Sequence, residues 1–210
     1  MFSIQARAFI AGLAAAAAVA MPATASAASS TSSSCAAQTV SQPFAAYGDT
    51  NSYWLAPDGG FEKGAAGWSL SNTKVVTGNE SLGILAGTKS LQFGGTGVLG
   101  LAQATTPSFC VDPSDPTFRF LVKNSSVASA VATSINFTAP NGATLTVPAK
   151  LSVYALGSWS LSESQPLATA IPSVFLQGGT TATITFQVTG AVSAEGLRID
   201  DLMIDPYRRG

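Results

Sequence analysis

Apolar and polar residues alternate along this chain in short runs separated by turn residues, the pattern of half-buried β-strands rather than helices. The clearest run is 181–188, in which Ala182, Ile184, Phe186 and Val188 share one face and polar residues take the other. Strands are expected at 73–77, 89–93, 97–104, 117–122, 130–138, 143–147, 151–155, 158–162, 181–188 and 197–204. Pro140-Asn141-Gly142 marks a hairpin, because Asn-Gly accepts the positive φ of tight turns. Gly94-Gly95 and Gly178-Gly179 punctuate the pattern in the same way. A short helical turn is expected near 167–174, weakened by Pro172. About ten short strands at this spacing predict an all-β fold, a two-sheet antiparallel β-sandwich of the jelly-roll type.

The first residues are patterned differently. Arg7 precedes an alanine-rich run over 8–20, Pro22 ends it, and Ala25-Ser26-Ala27 fits the small-x-small cleavage rule. Residues 1–27 therefore read as a secretory signal peptide. Their apolar run is shorter than the ~20 residues of a spanning helix, and an uncleaved anchor is the alternative. Residues 28–54 read as a flexible polar leader followed by an irregular, aromatic-rich segment, and 55–210 as the sandwich domain. Whether residues 44–54 pack on the sandwich or project from it is left open by the sequence. The expected location is extracellular, with no membrane insertion after cleavage.

Composition narrows the function. Ten Lys and Arg stand against eleven Asp and Glu, and only 10% of residues are charged, so there is no electrostatic footprint for nucleic acid. The chain has no histidine, which removes Ser-His-Asp and Cys-His catalysis and the usual imidazole base. Ser71-Asn72-Thr73-Lys74 matches Ser-x-x-Lys only formally, since its companion motifs are missing. The two cysteines, Cys35 and Cys110, both follow the export signal and are most simply a disulfide. It would close a loop of about 75 residues and stabilise the fold by about 4 kcal/mol.

The acidic residues are the remaining chemistry. Glu62 sits in a turn flanked by Gly59, Gly60 and Gly64, which free the backbone to curl and present carbonyls. Asp200 and Asp201 interrupt an otherwise apolar strand, where a buried carboxylate must be paired or bind metal. Calcium, which takes six to eight hard oxygens, suits such a set. Arg198, Lys63 or a backbone amide would satisfy the aspartates instead. A carboxylate pair such as Glu62 with Asp200 is also the minimum for glycoside hydrolysis, although any two of eleven acids meet that test.

Gly60-Phe61-Glu62, Gly67-Trp68, Gly87-Thr88-Lys89-Ser90-Leu91, Ser158-Trp159-Ser160 and Ile199-Asp200-Asp201-Leu202 occur in this order. The set resembles the galactose-binding-like jelly-roll superfamily, which includes carbohydrate-binding modules of bacterial xylanases and cellulases. Phe109-Cys110-Val111-Asp112 and Thr117-Phe118-Arg119-Phe120 further resemble small stand-alone secreted bacterial proteins without an assigned function. The resemblance spans roughly 55–205 and implies a structural calcium near the chain ends. In it Glu62 matches the side-chain ligand, Gly60 and the segment at Lys89 match carbonyl donors, and Asp200 matches the terminal aspartate. Asp200 is preferred to Asp201 because the family's first aspartate alternates with the apolar residues that follow.

The resemblance also implies a partner, a polysaccharide or surface glycan, stacked on exposed aromatics. Trp68 and Trp159 belong to core motifs, which leaves Tyr53, Trp54 and Tyr154 as candidate platforms, with Asn136 or Gln187 as polar helpers. The expectation is a noncatalytic secreted binding module. The alternatives are an envelope or spore-surface interaction protein that binds no sugar, and a small carboxylate-dependent hydrolase.

Overall fold

The computed structural model describes residues 35–94, 101–126, 129–170, 175, 178–189 and 196–205. The expected signal peptide lies outside the described residues. Among the described residues, thirteen strands form two antiparallel sheets. The first to be described has the core order β10 (Trp159–Leu161), β7 (Thr117–Lys123), β13 (Leu197–Asp205), β4 (Lys89–Phe93) and β3 (Thr73–Thr77). Two short strands extend it, β1 (Trp54–Leu55) on β13 and β11 (Gln165–Pro166) on β7. The other sheet runs β2 (Ser69–Ser71), β5 (Ala102–Thr105), β12 (Thr181–Thr189), β8 (Ala130–Thr138) and β9 (Thr144–Ser152), with β6 (Phe109–Cys110) beside β12. The chain is a β-sandwich of the jelly-roll class, seven strands on six.

Alternation sets the core. Val131, Ile135 and Phe137 of β8 and Ala182, Ile184, Phe186 and Val188 of β12 point inward and are buried. They meet Phe118, Phe120 and Val122 of β7 and Leu91 and Phe93 of β4 from the opposite sheet. An aromatic chain runs through the middle. The Trp68 ring lies 5.0 Å from Phe61 and 6.4 Å from Phe186, whose ring is 5.1 Å from Phe120. Each contact adds directional attraction to the burial of large rings. The Trp68 indole donates to the Pro57 carbonyl at 2.9 Å, so its one polar atom is satisfied.

Two expectations change. The runs 143–147 and 151–155 are not separate strands, since β9 continues from Thr144 to Ser152 through Pro148. Pro148 is accommodated because β9 is an edge strand and the pairing slips between Thr133 and Ser134. The turn near 167–174 is a 3-10 turn at Ala168–Ala170, and its remainder lies outside the described residues apart from the bounds above.

The segment 44–54 packs on the sandwich. Phe44 and Tyr53 are fully buried, edge to face at 4.9 Å, over Leu121 and Met203 on the outer face of the seven-stranded sheet. Leu82, Ile84, Leu85, Trp159 and Leu161 complete this second apolar cluster. A polar clasp holds the arm down: the Tyr53 hydroxyl donates to Asp49 at 2.7 Å, and Arg119 pairs with Asp49 at 3.4 Å. The Tyr47 hydroxyl donates to the Leu82 carbonyl at 2.7 Å. Cys35 is bonded to Cys110, with Cα atoms 5.5 Å apart, so the arm is tied at its start to the other sheet.

Candidate functional site

The carboxylate recess is built by three segments. Residues 56–68 form a run of tight turns in which Asp58 and Phe61 have positive φ, 47° and 59°. The Asp58 carboxylate accepts from the amides of Lys63 at 3.1 Å and Ala66 at 2.7 Å, so it fastens the loop that carries Glu62. Glu62 Oε1 accepts from the amides of Thr88 at 2.7 Å and Lys89 at 2.8 Å, and Oε2 from the Thr88 hydroxyl at 3.1 Å. The Thr88 amide is the main cause that holds this carboxyl below its ordinary pKa of 4.5. Gly87 has no side chain for a physical reason, because a Cβ there would lie 2.8 Å from Glu62 Oε1 and 2.6 Å from Asn79 Oδ1.

The second segment is 79–87. Glu80 folds back to accept from the amides of Gly83 at 3.0 Å, Ile84 at 2.7 Å and Leu82. The third is the bulge in β13, where the register to β7 shifts between Asp200 and Met203. Asp201 takes φ 44° there. The shift breaks the alternation expected of this strand and leaves both aspartates buried.

Their roles divide. Asp200 accepts from the Glu80 amide at 3.1 Å and the Asp201 amide at 2.9 Å, and so anchors the 79–87 segment. Of the two, Asp201 lines the recess, together with Asp58, Gly60, Glu62, Lys63 and Asn79. A Cβ on Gly60 would come within 3.2 Å of Asp201 Oδ1. Asp201, and not the expected Asp200, is thus the member of the pair that lines the recess with Glu62. Lys89 touches the site from behind, its Nζ donating to the Glu62 carbonyl at 2.7 Å.

Burial pushes the Asp201 carboxyl up to about 7, with the Glu80 and Glu62 charges adding to it. Burial, then the Asp201 charge, pushes Asp200 up to about 8. Asp201 Oδ2 is buried with no hydrogen-bond partner. An orphaned carboxylate oxygen beside a second carboxylate is the environment a hard cation would relieve. Among the described residues no group of three or more His, Cys, Asp or Glu is spaced to hold a metal. A cation here would draw on Glu62, Asp201 and neutral oxygens such as the Gly60 carbonyl and Asn79 Oδ1.

The aromatic candidates do not form a platform. Tyr53 is 1% exposed and Trp54 4%, because the arm that carries them covers the sandwich. The Trp54 indole donates to Asp115 at 3.2 Å and packs on Phe109. Tyr154 is half-buried, its ring 6.0 Å from Phe120, and burial pushes its phenol pKa up. Tyr53 and Trp54 are thus too deeply buried to present a ring face to a ligand, while Tyr154 keeps part of its surface in solvent.

A different surface is the outer face of the six-stranded sheet, whose described outward positions are half-buried to exposed. Its cross-strand rows are Ser71–Gln103–Gln187–Ala132–Leu151, Ser69–Thr105–Thr185–Ser134–Pro148, Thr183–Asn136–Thr146 and Thr181–Thr138–Thr144. Asn136 and Gln187, the expected polar helpers, both lie on it. Neighbours bond to one another: the Thr105 and Thr185 hydroxyls are 2.9 Å apart, and Thr146 donates to Asn136 at 3.0 Å. Among the described residues, no outward position in these rows is charged or aromatic. The sign in the sequence was the polar half of the 181–188 alternation, complementary to the core face.

The chain matches no protein-family model and no curated protein. Solved structures similar to it include the enzymatically active domain of bacteriophage CBA120 tailspike protein 4, at 18% identity and TM-score 0.46 over 72% of this chain and 21% of that one. Another is the CBM22-1–GH10 part of the Clostridium thermocellum xylanase 10B complexed with xylohexaose, at 16% identity and TM-score 0.44 over 75% and 29%. A third is TmCBM61 in complex with β-1,4-galactotriose, at 20% identity and TM-score 0.43 over 72% and 97%. The chain thus spans less than a third of the first two. Most of these structural neighbours are carbohydrate-binding modules.

Proposed function

We propose that this chain is a secreted, noncatalytic binding module for neutral carbohydrate, stabilised by calcium at the Glu62–Asp201 recess. The observation that carries the reading is the outer face of the six-stranded sheet, whose described rows are mostly Thr, Ser, Asn and Gln, interrupted by Ala132, Pro148 and Leu151. Such a face offers donors and acceptors to sugar hydroxyls. Its described rows carry no cation to pair with a phosphate backbone and no charge to complement a strongly charged protein. In the recess, calcium would neutralise the buried Asp201 carboxylate and join the loop carrying Glu62 to strand β13. The Asp200 carboxylate is committed to the amides of Glu80 and Asp201, which weighs against a Glu62–Asp200 hydrolytic pair. No helix among the described residues is long and apolar enough to cross a membrane.

A binding screen tests the reading, using the mature chain with calcium against soluble and insoluble polysaccharides. Saturable binding to a neutral polysaccharide, unchanged in 1 M NaCl, is expected. A blank across the panel on a folded sample would overturn the carbohydrate reading and leave an interaction protein of the cell envelope.

A further inference from the structure

Residues 79–87 contain no helix or strand, so no ladder of backbone hydrogen bonds holds them in place. Their order rests on contacts at two sides. One side meets the carboxylate recess. The Glu80 amide donates to Asp200 at 3.1 Å, and the Leu85 backbone amide faces Asp201, offsetting part of the rise in its pKa. The Asn79 side-chain amide donates to the Leu85 carbonyl at 3.1 Å, and Asn79, Leu85, Ala86 and Gly87 line the recess.

The other side meets the N-terminal arm. Leu82, Ile84 and Leu85 pack on the buried cluster of Phe44, Tyr53, Leu121 and Met203. The Tyr47 hydroxyl donates to the Leu82 carbonyl at 2.7 Å. Glu80 joins the two sides, since its carboxylate accepts from the amides of Leu82, Gly83 and Ile84 while its own amide is held by Asp200. Leu85 belongs to both.

A segment held in this way is ordered in part by each side. Fixing a stretch of backbone is opposed by conformational entropy, and the contact that forms second finds the segment already in place. The two contacts therefore favour each other, and linkage makes the effect equal in both directions. Asp201 Oδ2, buried and without a partner, is the atom through which a cation would act on the recess side.

We propose that calcium occupancy of the Glu62–Asp201 recess controls how firmly the N-terminal arm is seated on the seven-stranded sheet, with residues 79–87 as the coupling element. The inference rests on the calcium reading above and extends it from stability to regulation. At low calcium the arm loosens and uncovers the apolar face at Leu121 and Met203. The Cys35–Cys110 disulfide keeps a loosened arm tethered, so it can return.

Calorimetric calcium titrations and hydrogen exchange on the mature chain test it. Phe44→Ala thins the arm contact without touching the recess and should weaken calcium binding about fivefold or more. Tyr47→Phe removes only the bond to Leu82 and should weaken it by a smaller factor. In the wild type the amides of Tyr47, Gly48 and Asp49, bonded within the arm, should exchange faster than those of β12. Calcium should slow them about fivefold or more, and in Glu62→Gln they should not respond. Unchanged calcium affinity in both folded arm variants would overturn the inference and leave the calcium site standing. So would arm exchange that tracks β12 or ignores calcium. A wild type with neither calcium heat nor a calcium effect on melting would overturn the calcium reading and the inference together.

Discussion

The two outer faces of the sandwich are handled in opposite ways. The seven-stranded sheet turns Leu121 and Met203 outward, and the chain spends its own N-terminal arm and the 82–85 loop to cover them. The six-stranded sheet turns threonine, serine, asparagine and glutamine outward and leaves them open. An apolar outer face left in water is unfavourable and needs a cover, whereas a neutral polar face does not. The covered face is therefore a matter of stability, whereas the polar one needs no cover.

The contrast predicts where substitutions hurt. Phe44→Ala should cost about 3–5 kcal/mol, because it empties a fully buried ring site beneath the arm. For a chain of this size that lowers the melting temperature by about 10 °C. Thr183→Ala on the open face should stay within about 0.5 kcal/mol in the same urea titration. Equal losses would erase the distinction between the faces.

Untying the arm comes next. Replacing Cys35 and Cys110 with serine removes the cross-link between the arm and β6 and should cost about 2–4 kcal/mol. Denaturant unfolding of the double variant measures it.

Calcium sharpens the picture at the edge of the covered face. At a concentration about 100 times its dissociation constant, calcium should stabilise the wild type by about 2.7 kcal/mol over the chelated protein. Glu62→Gln and Asp201→Asn should lose that gain, while Asp200→Asn should keep it from a lower starting point. Loss in Asp200→Asn with retention in Asp201→Asn would show that the bulge does not divide the two aspartates as described.

The smallest effect concerns Asp205, whose pKa is raised mainly by burial, with the nearby Asp49 charge adding to it. A carboxyl whose folded pKa lies above its ordinary 3.8 favours folding only when protonated. Its ionised form then destabilises the protein as pH rises above that value. Asp205→Asn should thus raise the melting temperature at pH 7 by about 1–3 °C, with the gain vanishing below about pH 3.8. A gain that persists at acid pH would point to packing instead of charge.

Much of this was legible in the sequence, for local reasons. The alternation in 181–188 and 130–138 fixes which side of each strand is buried, and the pairing of Cys35 with Cys110 needs only compartment and count. The bulge was not legible, because nothing in Ile199-Asp200-Asp201-Leu202 signals that Asp201 will take a positive φ. Tyr53 and Trp54 looked available because their burial depends on residues far along the chain, Leu121 and Met203 for Tyr53 and Phe109 for Trp54. The threonine face was overlooked because polar positions in a strand read as ordinary solvent contact until the rows are assembled across five strands.

The most direct test of the six-stranded face compares two lysine variants on one neutral polysaccharide that the wild type binds. Thr185→Lys places a charge at the centre of the six-stranded face, and Tyr47→Lys places one on the half-exposed arm over the other sheet. The account predicts at least a tenfold drop in uptake for Thr185→Lys and wild-type uptake for Tyr47→Lys. The reverse pattern, measured on folded proteins, would place binding on the covered side and contradict it.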